Sequence, residues 1–497
     1  MDETRPASSP KPSTPTALAP PPSARGLPGW ALAAAYLALA LLPLLLAALA
    51  PDGPGNAWRE AATGLGMAGL AMLALQFASS GRFPTLSGRV GIDRTMAFHK
   101  VAARILALFV IAHPFLYAVP GFLRSPSRGW MTLEIYFTSA QYRLGLVAWL
   151  AAIAVVGLAV LRPRLPVSYE AWRASHVILG LAAVGFGAAH AIEVGGYAQD
   201  VAALAGFWLV AAAGAAASVV LVYVFRTWAI RSDPWRLVRN ERVGRGLWRL
   251  AFRRESGKPF PFRAGQFVWL TTAPRLFPLF DHPFSIASSP RESEVALVIK
   301  EAGDYTGRIG ELAPGTRAGL DGPHGAFARE DREADAILLI AGGAGIAPIL
   351  GLARDLDLAD DLRPIRVLVA AGGPDRLVGL DTLREIAARR DLTVTTLCEE
   401  GGPGYEGALG RLDRGTLDDL LAGLDPARAL AMICGPGPFM VAAADGLLAC
   451  GLPFDNVLYE RFDYADGTLS RHDRAERLRV RLIGAALAAG VLVFALR

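Results

Sequence analysis

Charged residues and cysteines are scarce in this chain of 497 residues. Only 19% of the residues are Asp, Glu, Lys or Arg, and only three are cysteines. Cys398, Cys434 and Cys450 lie in the second half of the chain without the spacing of a metal site, which excludes a disulfide framework and indicates a reducing compartment. The net charge of +5 comes largely from arginines in short loops, so it does not indicate nucleic-acid binding.

Apolar residues are abundant instead, at 53% of the chain, and they are concentrated in its first half. Apolar runs of the length that a hydrocarbon core requires predict six membrane-spanning helices, over 30–50, 57–78, 96–119, 144–161, 174–191 and 201–225. A further apolar run, 482–496, follows a cluster of arginines. It predicts a seventh crossing, with a helix lying at the membrane surface as the alternative.

The loops between these runs predict the orientation in the membrane. Arginines are concentrated in the loops after the second and fourth runs and directly after the sixth, whereas the opposite loops mix both signs of charge. We therefore expect an integral, multi-pass protein of a bacterial-type inner or plasma membrane, with its N-terminus and its C-terminal half in the cytoplasm. Residues 1–28, rich in Pro, Ser and Ala, are predicted to be a disordered tail.

Four histidines occur as two pairs with identical spacing, His99 with His113 and His176 with His190, in the third and fifth runs. Fourteen residues of helix make close to four turns, so both members of a pair face one side, about 21 Å apart along the axis. Ionisable residues in spanning helices are costly and usually functional, which favours two bis-histidine haems at two depths over histidines that only pack against neighbouring carbonyls. His99 and His176 would lie near the cytoplasm, and His113 and His190 near the outer face.

The second half of the chain has the pattern of two soluble domains. Alternating apolar and polar residues predict a small antiparallel β-barrel over 232–332, and alternating strands and helices predict an α/β nucleotide-binding domain over 333–465. Gly342-Gly343-Ala344-Gly345, with Pro348 after it, joins a strand to a helix. Such a turn lets a pyrophosphate approach the backbone at a helix N-terminus. Residues 466–497 form a basic linker and the last apolar segment.

Several motifs occur in one order along these domains. They are Phe98-His99-Lys100, His282-Pro283-Phe284-Ser285, Lys300-Glu301-Ala302-Gly303-Asp304-Tyr305-Thr306, Gly322-Pro323-His324-Gly325, Cys434-Gly435-Pro436-Gly437-Pro438-Phe439-Met440 and Tyr459-Glu460-Arg461-Phe462. Together they resemble the ferric reductase and NADPH oxidase family of transmembrane flavocytochromes, whose cytosolic half is similar to ferredoxin-NADP reductase. The resemblance covers residues 57–463. It implies an all-α haem domain over 29–231, then an FAD-binding β-barrel and an NAD(P)-binding α/β domain.

The resemblance also implies roles for single residues. The FAD would be held by residues of the barrel, namely His282, Pro283, Phe284, Ser285, Lys300, Gly303 and Thr306. The nicotinamide nucleotide would be bound by residues of the α/β domain, namely Gly342, Gly343, Gly345, Pro348 and Gly435. Three residues would act at the reacting rings: Cys434 beside the nicotinamide, Phe462 stacked on the flavin, and Glu460 nearby. Lys300 as a solvated strand-end charge and Cys434 as a buried strand-end residue are the alternatives.

The implied function is transfer of electrons from cytosolic NAD(P)H through FAD and two b-type haems to an extracytoplasmic acceptor, as in a ferric reductase. The acceptor would be a ferric chelate, oxygen or a redox protein, so superoxide production and an electron-relay subunit are the alternatives. Tyr117 stands where animal NADPH oxidases carry a further histidine, which favours the reductase. Gly372 and Gly373, where NADPH-binding relatives often have Ser and Arg, favour NADH.

Overall fold

The computed structural model describes residues 26–51, 53–328, 333–459 and 471–497. The helices of the first half are α1 (Gly29–Ala47), α2 (Ala57–Ala78), α3 (Pro84–Ser87), α4 (Ile92–Arg124), α5 (Pro126–Thr138), α6 (Arg143–Leu161), α7 (Tyr169–Glu193), α8 (Gly196–Asp200), α9 (Ala202–Val220) and α10 (Arg226–Ser232). A π-helical turn, Leu221–Phe225, joins α9 to α10. The last helix of the chain is α15 (Arg471–Leu496).

Seven helical segments in the described residues are long and apolar enough to cross a membrane. They are Gly29–Ala47, Ala57–Ala78, Ile92–Arg124, Ala140–Arg164, Tyr169–Glu193, Ala202–Ser232 and Leu478–Leu496. The first six contain or closely match the runs predicted from the sequence. α4 extends past its predicted end because Pro114 and Pro120 are accommodated within it, as membrane helices often allow. The protein is an integral, multi-pass membrane protein.

The described residues contain seven such helices: the six predicted for the first half of the chain and α15, which matches the predicted seventh crossing. Leu487, Val491 and Phe494 of α15 are buried in the same apolar core as α1 and α2. A Cβ at Gly64 of α2 would lie 3.2 Å from Phe494 and from Val491, so the two helices are in close contact. The apolar run of α15 is short for a span. The helix nevertheless packs along one side against α1 and α2, which favours the predicted seventh crossing over a helix lying at the membrane surface.

The next strands form an antiparallel sheet, as predicted. They are β1 (Trp235–Gly244), β2 (Leu247–Arg254), β3 (Phe267–Thr272), β4 (His282–Ser285), β5 (Val295–Lys300) and β6 (Arg317–His324), in the order β4-β3-β6-β1-β2-β5. An antiparallel bridge between Ile286 and Leu297 brings the β4 edge to the β5 edge. The apolar side chains between the strands, including Phe252 and Leu297, are fully buried.

The last domain has a parallel sheet with helices, again as predicted. Its strands are β7 (Ala336–Gly342), β8 (Ile365–Ala371), β9 (Leu392–Cys398), β10 (Ala408–Leu409), β11 (Ala429–Cys434) and β12 (Val457–Tyr459), in the order β10-β9-β8-β7-β11-β12. Its helices are α11 (Ile346–Leu358), α12 (Leu380–Ala387), α13 (Arg414–Leu420) and α14 (Gly437–Ala449). The chain moves outward from β7 to β10 and then returns to β11, on the other side of β7. The carboxyl ends of β7 and β11 therefore meet at a topological switch point, where such sheets bind ligands.

Candidate functional site

His99 of α4 and His176 of α7 face each other near the end of the bundle that contacts the antiparallel sheet. Their ring centres are 6.3 Å apart, with the planes tilted by 48°. Two imidazoles on opposite faces of one metal ion, each bonded through a nitrogen at about 2 Å, have ring centres about 6 Å apart. The observed spacing fits a pair of axial ligands to one haem iron.

His113 and His190 line a single cavity of about 500 Å³ towards the other end of the bundle. Two glycines make room for their rings. A Cβ at Gly66 of α2 would lie 2.6 Å from the His113 ring, and a Cβ at Gly145 of α6 would lie 2.7 Å from the His190 ring. Since no larger residue fits at either position without moving an imidazole, the bundle is shaped around this second pair.

The ring nitrogens of the four histidines argue against a packing role alone. The Nδ1 atoms of His99, His176 and His190 are buried and have no hydrogen-bond partner among the described residues. A buried polar atom without a partner is costly, so these side chains are not ordinary core histidines. His113 differs because its Nδ1–H donates to the carbonyl of Ala62 at 2.7 Å, which leaves Nε2 free to bind a metal.

Two further buried donors lie beside the first pair. The Trp172 ring is 5.4 Å from the His176 ring, and the Arg162 guanidinium lies 5.0 Å above the Trp172 ring. Trp172 Nε1 and Arg162 Nε are buried, and neither has an acceptor within the described parts of the chain. Donors of this kind would suit the carboxylates that a haem carries.

Three tyrosines form an arc between His113 and His190. Ring centres are 5.4 Å apart from His113 to Tyr117, 5.5 Å from Tyr117 to Tyr136, 4.9 Å from Tyr136 to Tyr142 and 6.4 Å from Tyr142 to His190. All three tyrosines line the second cavity. Three aromatic rings therefore form one side of this cavity, whose lining also includes the charged residues Arg59, Glu60 and Asp200.

The strand predicted to bind the flavin carries its aromatic side chains on one face. The His282 ring stacks on Tyr305, with ring centres 4.2 Å apart and planes 14° apart, and Phe284 stacks on the same tyrosine at 6.5 Å. Burial raises the pKa of Tyr305 to about 12 and lowers the pKa of His282, which favours the neutral form of both rings. Pro283 is half-buried and Ser285 is buried at the end of the strand. A neutral histidine offers the flavin a hydrogen bond or stacking rather than a charge.

The residues predicted to bind the flavin phosphates lie in one loop. Lys300 is exposed at the end of β5, and the Ala302 amide donates to Thr306 Oγ1 at 2.9 Å. Because Oγ1 accepts that bond, the Thr306 hydroxyl proton remains available to a ligand. Gly303 has a φ of +142° with open space around it, so the turn favours glycine. The exposure of Lys300 agrees both with a role in binding the flavin phosphates and with a solvated charge at the end of the strand.

The glycine-rich turn and Gly435 meet at the switch point of the parallel sheet. A Cβ at Gly435 would lie 3.1 Å from the Gly342 backbone, and a Cβ at Gly345 would overlap the carbonyl of Cys434. Gly343, at a φ of +54°, has open space around it. The backbone is therefore bare at this edge, in front of the N-terminus of α11, as a pyrophosphate requires.

Pro348 lies buried in the first turn of α11, where a proline costs no helical hydrogen bond. The Arg376 side chain lies close to the end of β8, as shown by the distance of 3.2 Å from its Nη1 to a Cβ built at Gly372. A cation therefore lies beside the two glycines that favoured NADH, and the choice of coenzyme stays a prediction.

Of the three residues predicted to act at the reacting rings, only Cys434 lies in the described part of the chain. Cys434 ends β11, is 4% exposed and belongs to the apolar core of the domain, in line with its alternative as a buried strand-end residue. Its role beside the nicotinamide stays a prediction. Glu460 and Phe462 lie outside the described residues.

Three family models match the chain in the order of its domains. "Ferric reductase like transmembrane component" matches residues 65–187, "FAD-binding domain" matches 237–326 and "Oxidoreductase NAD-binding domain" matches 339–445. The chain belongs to the ferric reductase-like transmembrane flavocytochromes whose second half is of the ferredoxin-NADP reductase type. It therefore contains an FAD-binding domain and an NAD-binding domain.

Relatives among characterised proteins resemble parts of the chain. It is 31% identical over 217 residues to the reductase component of propane 2-monooxygenase from Mycolicibacterium smegmatis, across 42% of this chain and 61% of that protein. It is 30% identical over 250 residues to ferredoxin-NADP reductase B from Sorangium cellulosum, across 47% of this chain and all of that protein. A match to dual oxidase 1 of Canis lupus familiaris, 32% identical over 129 residues, covers 24% of this chain and 8% of that protein.

Sequence reasoning identified Tyr117 but missed Tyr169, Trp172 and Tyr142 around the histidines. Tyr169 and Trp172 precede His176 by seven and four residues, so all three share one face of α7. That spacing was a readable signal. Tyr136 and Tyr142 come from separate elements after α4, and only the folded chain brings them to the second cavity.

Proposed function

We propose that this protein transfers electrons across the membrane from cytosolic NAD(P)H, through FAD and two b-type haems, to an acceptor on the outer side. The observation that carries this proposal is the pairing of the four membrane histidines at two levels, with the first pair above the flavin strand. The arginine-rich loops contact the flavin domain, which supports a cytoplasmic location for that end of the bundle.

His99 and His176 would hold the inner haem, and His113 and His190 the outer one. Neutral imidazoles are the required form, and the bond from His113 to Ala62 fixes its tautomer and ring orientation. Two histidines per iron leave no open coordination position. The acceptor would therefore take its electron at the haem edge, near the aromatic arc, rather than bind the metal.

The flavin converts between the two-electron chemistry of a nicotinamide and the one-electron chemistry of haem iron. Each NAD(P)H yields a hydride, equal to two electrons and one proton. The two electrons cross singly and reduce two one-electron acceptors, and one proton is released for each NAD(P)H oxidised. In this chain, Gly342, Gly345 and Gly435 would admit the nucleotide, while His282 and Phe284 would support the flavin ring.

A reductase of this type delivers electrons to chelated metal or a redox protein without free superoxide. We expect the purified protein to reduce cytochrome c with NADH or NADPH at a rate that superoxide dismutase does not change. Tyr117 supports this expectation, because its hydroxyl is engaged by Thr63 at 2.7 Å. Loss of the reduction on adding dismutase would replace the reductase by the oxidase. An absence of any NAD(P)H-dependent reduction would contradict the whole proposal.

We expect Gly145→Ala to lower the occupancy of the outer haem. The new methyl group would lie 2.7 Å from His190 Cε1 and displace the ring. Gly157→Ala on the same helix is the matched control, because a Cβ there meets nothing within 4 Å. Haem per protein is measured by the pyridine haemochrome assay. Equal haem content in the two variants would contradict the assignment of His190.

A further inference from the structure

One buried carboxylate joins the flavin strand to the membrane bundle. Asp281, directly before His282, is 1% exposed. Arg82 donates to both of its oxygens, at 2.6 and 2.7 Å, and Arg173 donates to Oδ1 at 2.7 Å. Arg82 lies between α2 and α3, and Arg173 lies in α7, three residues before His176. Because buried charges are costly unless paired in good geometry, this arrangement fixes the start of β4 on the bundle.

A second contact holds the same sheet in place. Arg226, at the start of α10, forms an ion pair with Asp321 of β6 and also donates to the backbone carbonyl of Arg82. The Arg82 guanidinium lies 3.8 Å above the Trp269 ring of β3. Three separate segments of the bundle therefore contact the region of three neighbouring strands, β4, β3 and β6.

These contacts place a series of aromatic rings between the predicted flavin site and the predicted inner haem site. The His282 ring is 6.2 Å from Tyr169, Tyr169 is 5.8 Å from Trp172, and Trp172 is 5.4 Å from His176. Tyr169, Trp172 and His176 share one face of α7 by their spacing. The series runs without a gap from the flavin strand to a ligand of the inner haem.

We propose that Asp281 is a positioning residue that holds β4 against α7, so that Tyr169 and Trp172 bridge the flavin site and the inner haem and set the rate of electron entry. This inference rests on the proposed function. Each transfer across the junction oxidises the flavin by one electron and reduces one ferric haem iron to ferrous. Two transfers account for both electrons of one hydride.

The first test is Asp281→Asn in the full-length protein, followed by anaerobic stopped-flow mixing with NADH or NADPH. We expect haem reduction to slow by about tenfold or more, because the variant leaves two buried guanidiniums without their carboxylate and lets β4 move away from α7, with flavin reduction changed by less than about twofold. Asp418→Asn is the matched control, since it breaks an exposed pair with Arg414 at 2.8 Å, and both of its phases stay unchanged.

The second test addresses the aromatic bridge without disturbing the strand. Trp172→Leu is expected to slow haem reduction per bound haem, and Trp172→Phe to restore most of that rate, because both variants lose the Nε1 donor but only phenylalanine keeps an aromatic ring. These variants decide the outcome if Asp281→Asn loses its flavin. Equal rates in Trp172→Leu and Trp172→Phe would overturn the bridge.

Hydrogen exchange provides a measurement that is independent of turnover. In oxidised protein, amides of residues 276–285 are expected to exchange faster in Asp281→Asn than in the wild type or in Asp418→Asn. Unchanged exchange together with unchanged haem reduction in Asp281→Asn would overturn the inference, as would equal slowing of flavin and haem reduction. Failure of the proposed function is distinguishable, because wild-type protein would then show flavin reduction without haem reduction, or neither.

Discussion

Replacing His113 by alanine should reduce the haem content of the purified protein from two haems per chain to one, while FAD should stay bound. The imidazole is held by the Ala62 carbonyl inside a cavity shaped by Gly66, and alanine supplies no ligand in its place. A haem with one axial ligand in that cavity would not survive purification. NAD(P)H should still reduce the inner haem, whereas reduction of an outer acceptor should fall to the background rate.

Haem and flavin contents are measured by the pyridine haemochrome assay and by fluorescence of the released FAD. Leu108→Ala is the matched control, because Leu108 lies on the same helix with its side chain 65% exposed. That variant should keep both haems. An unchanged haem content in His113→Ala would refute the outer haem site.

Replacing Gly435 by alanine should lower NAD(P)H oxidation by about 100-fold or more, since reacting groups must approach closely and small displacements are costly. The added methyl group would lie 2.9 Å from the Phe439 ring and 3.1 Å from the Gly342 backbone, so it would displace the glycine-rich turn that is proposed to bind the nucleotide. FAD and both haems should be retained, and dithionite should still reduce the haems.

Steady-state oxidation of NADH and NADPH, measured by absorbance at the nicotinamide band, checks this expectation. Gly415→Ala in α13 of the same domain is the control, because the nearest atom to its new Cβ is Asp413 Oδ1 at 3.7 Å. An unchanged kcat/KM in Gly435→Ala would remove Gly435 from the nucleotide site.

The sequence predicted those features that depend on local patterns. Apolar runs located the first six spanning helices, the repeated histidine spacing predicted two levels of paired histidines, and the glycine turn located the end of β7. α15 was harder, because its apolar run is short and its contacts with α1 and α2 come from the opposite end of the chain. Its place in the bundle depends on packing between distant parts of the chain, which a short stretch of sequence does not reveal.

The residues of the candidate site, like the elements of the fold, were predictable only where a local sequence pattern marks them. Histidines and glycines carry their chemistry in their identity and spacing, so the sequence was enough to propose them as site residues. Asp281, by contrast, is one of 45 acidic residues, and nothing in its neighbourhood marks it as buried between Arg82 and Arg173. Interdomain contacts of this kind depend on how two domains meet. That geometry is visible only in the folded chain.

The central claim is that electrons cross the membrane from the flavin side to the side of His113 and His190. The most direct measurement uses protein reconstituted into sealed vesicles with cytochrome c enclosed, to which NADH or NADPH is added outside. Molecules with the flavin half facing outward should oxidise the external nucleotide and reduce the enclosed cytochrome c, also when superoxide dismutase is enclosed with it, and His113→Ala should abolish that reduction. Oxidation of the external nucleotide without any reduction of the enclosed cytochrome c would contradict the claim.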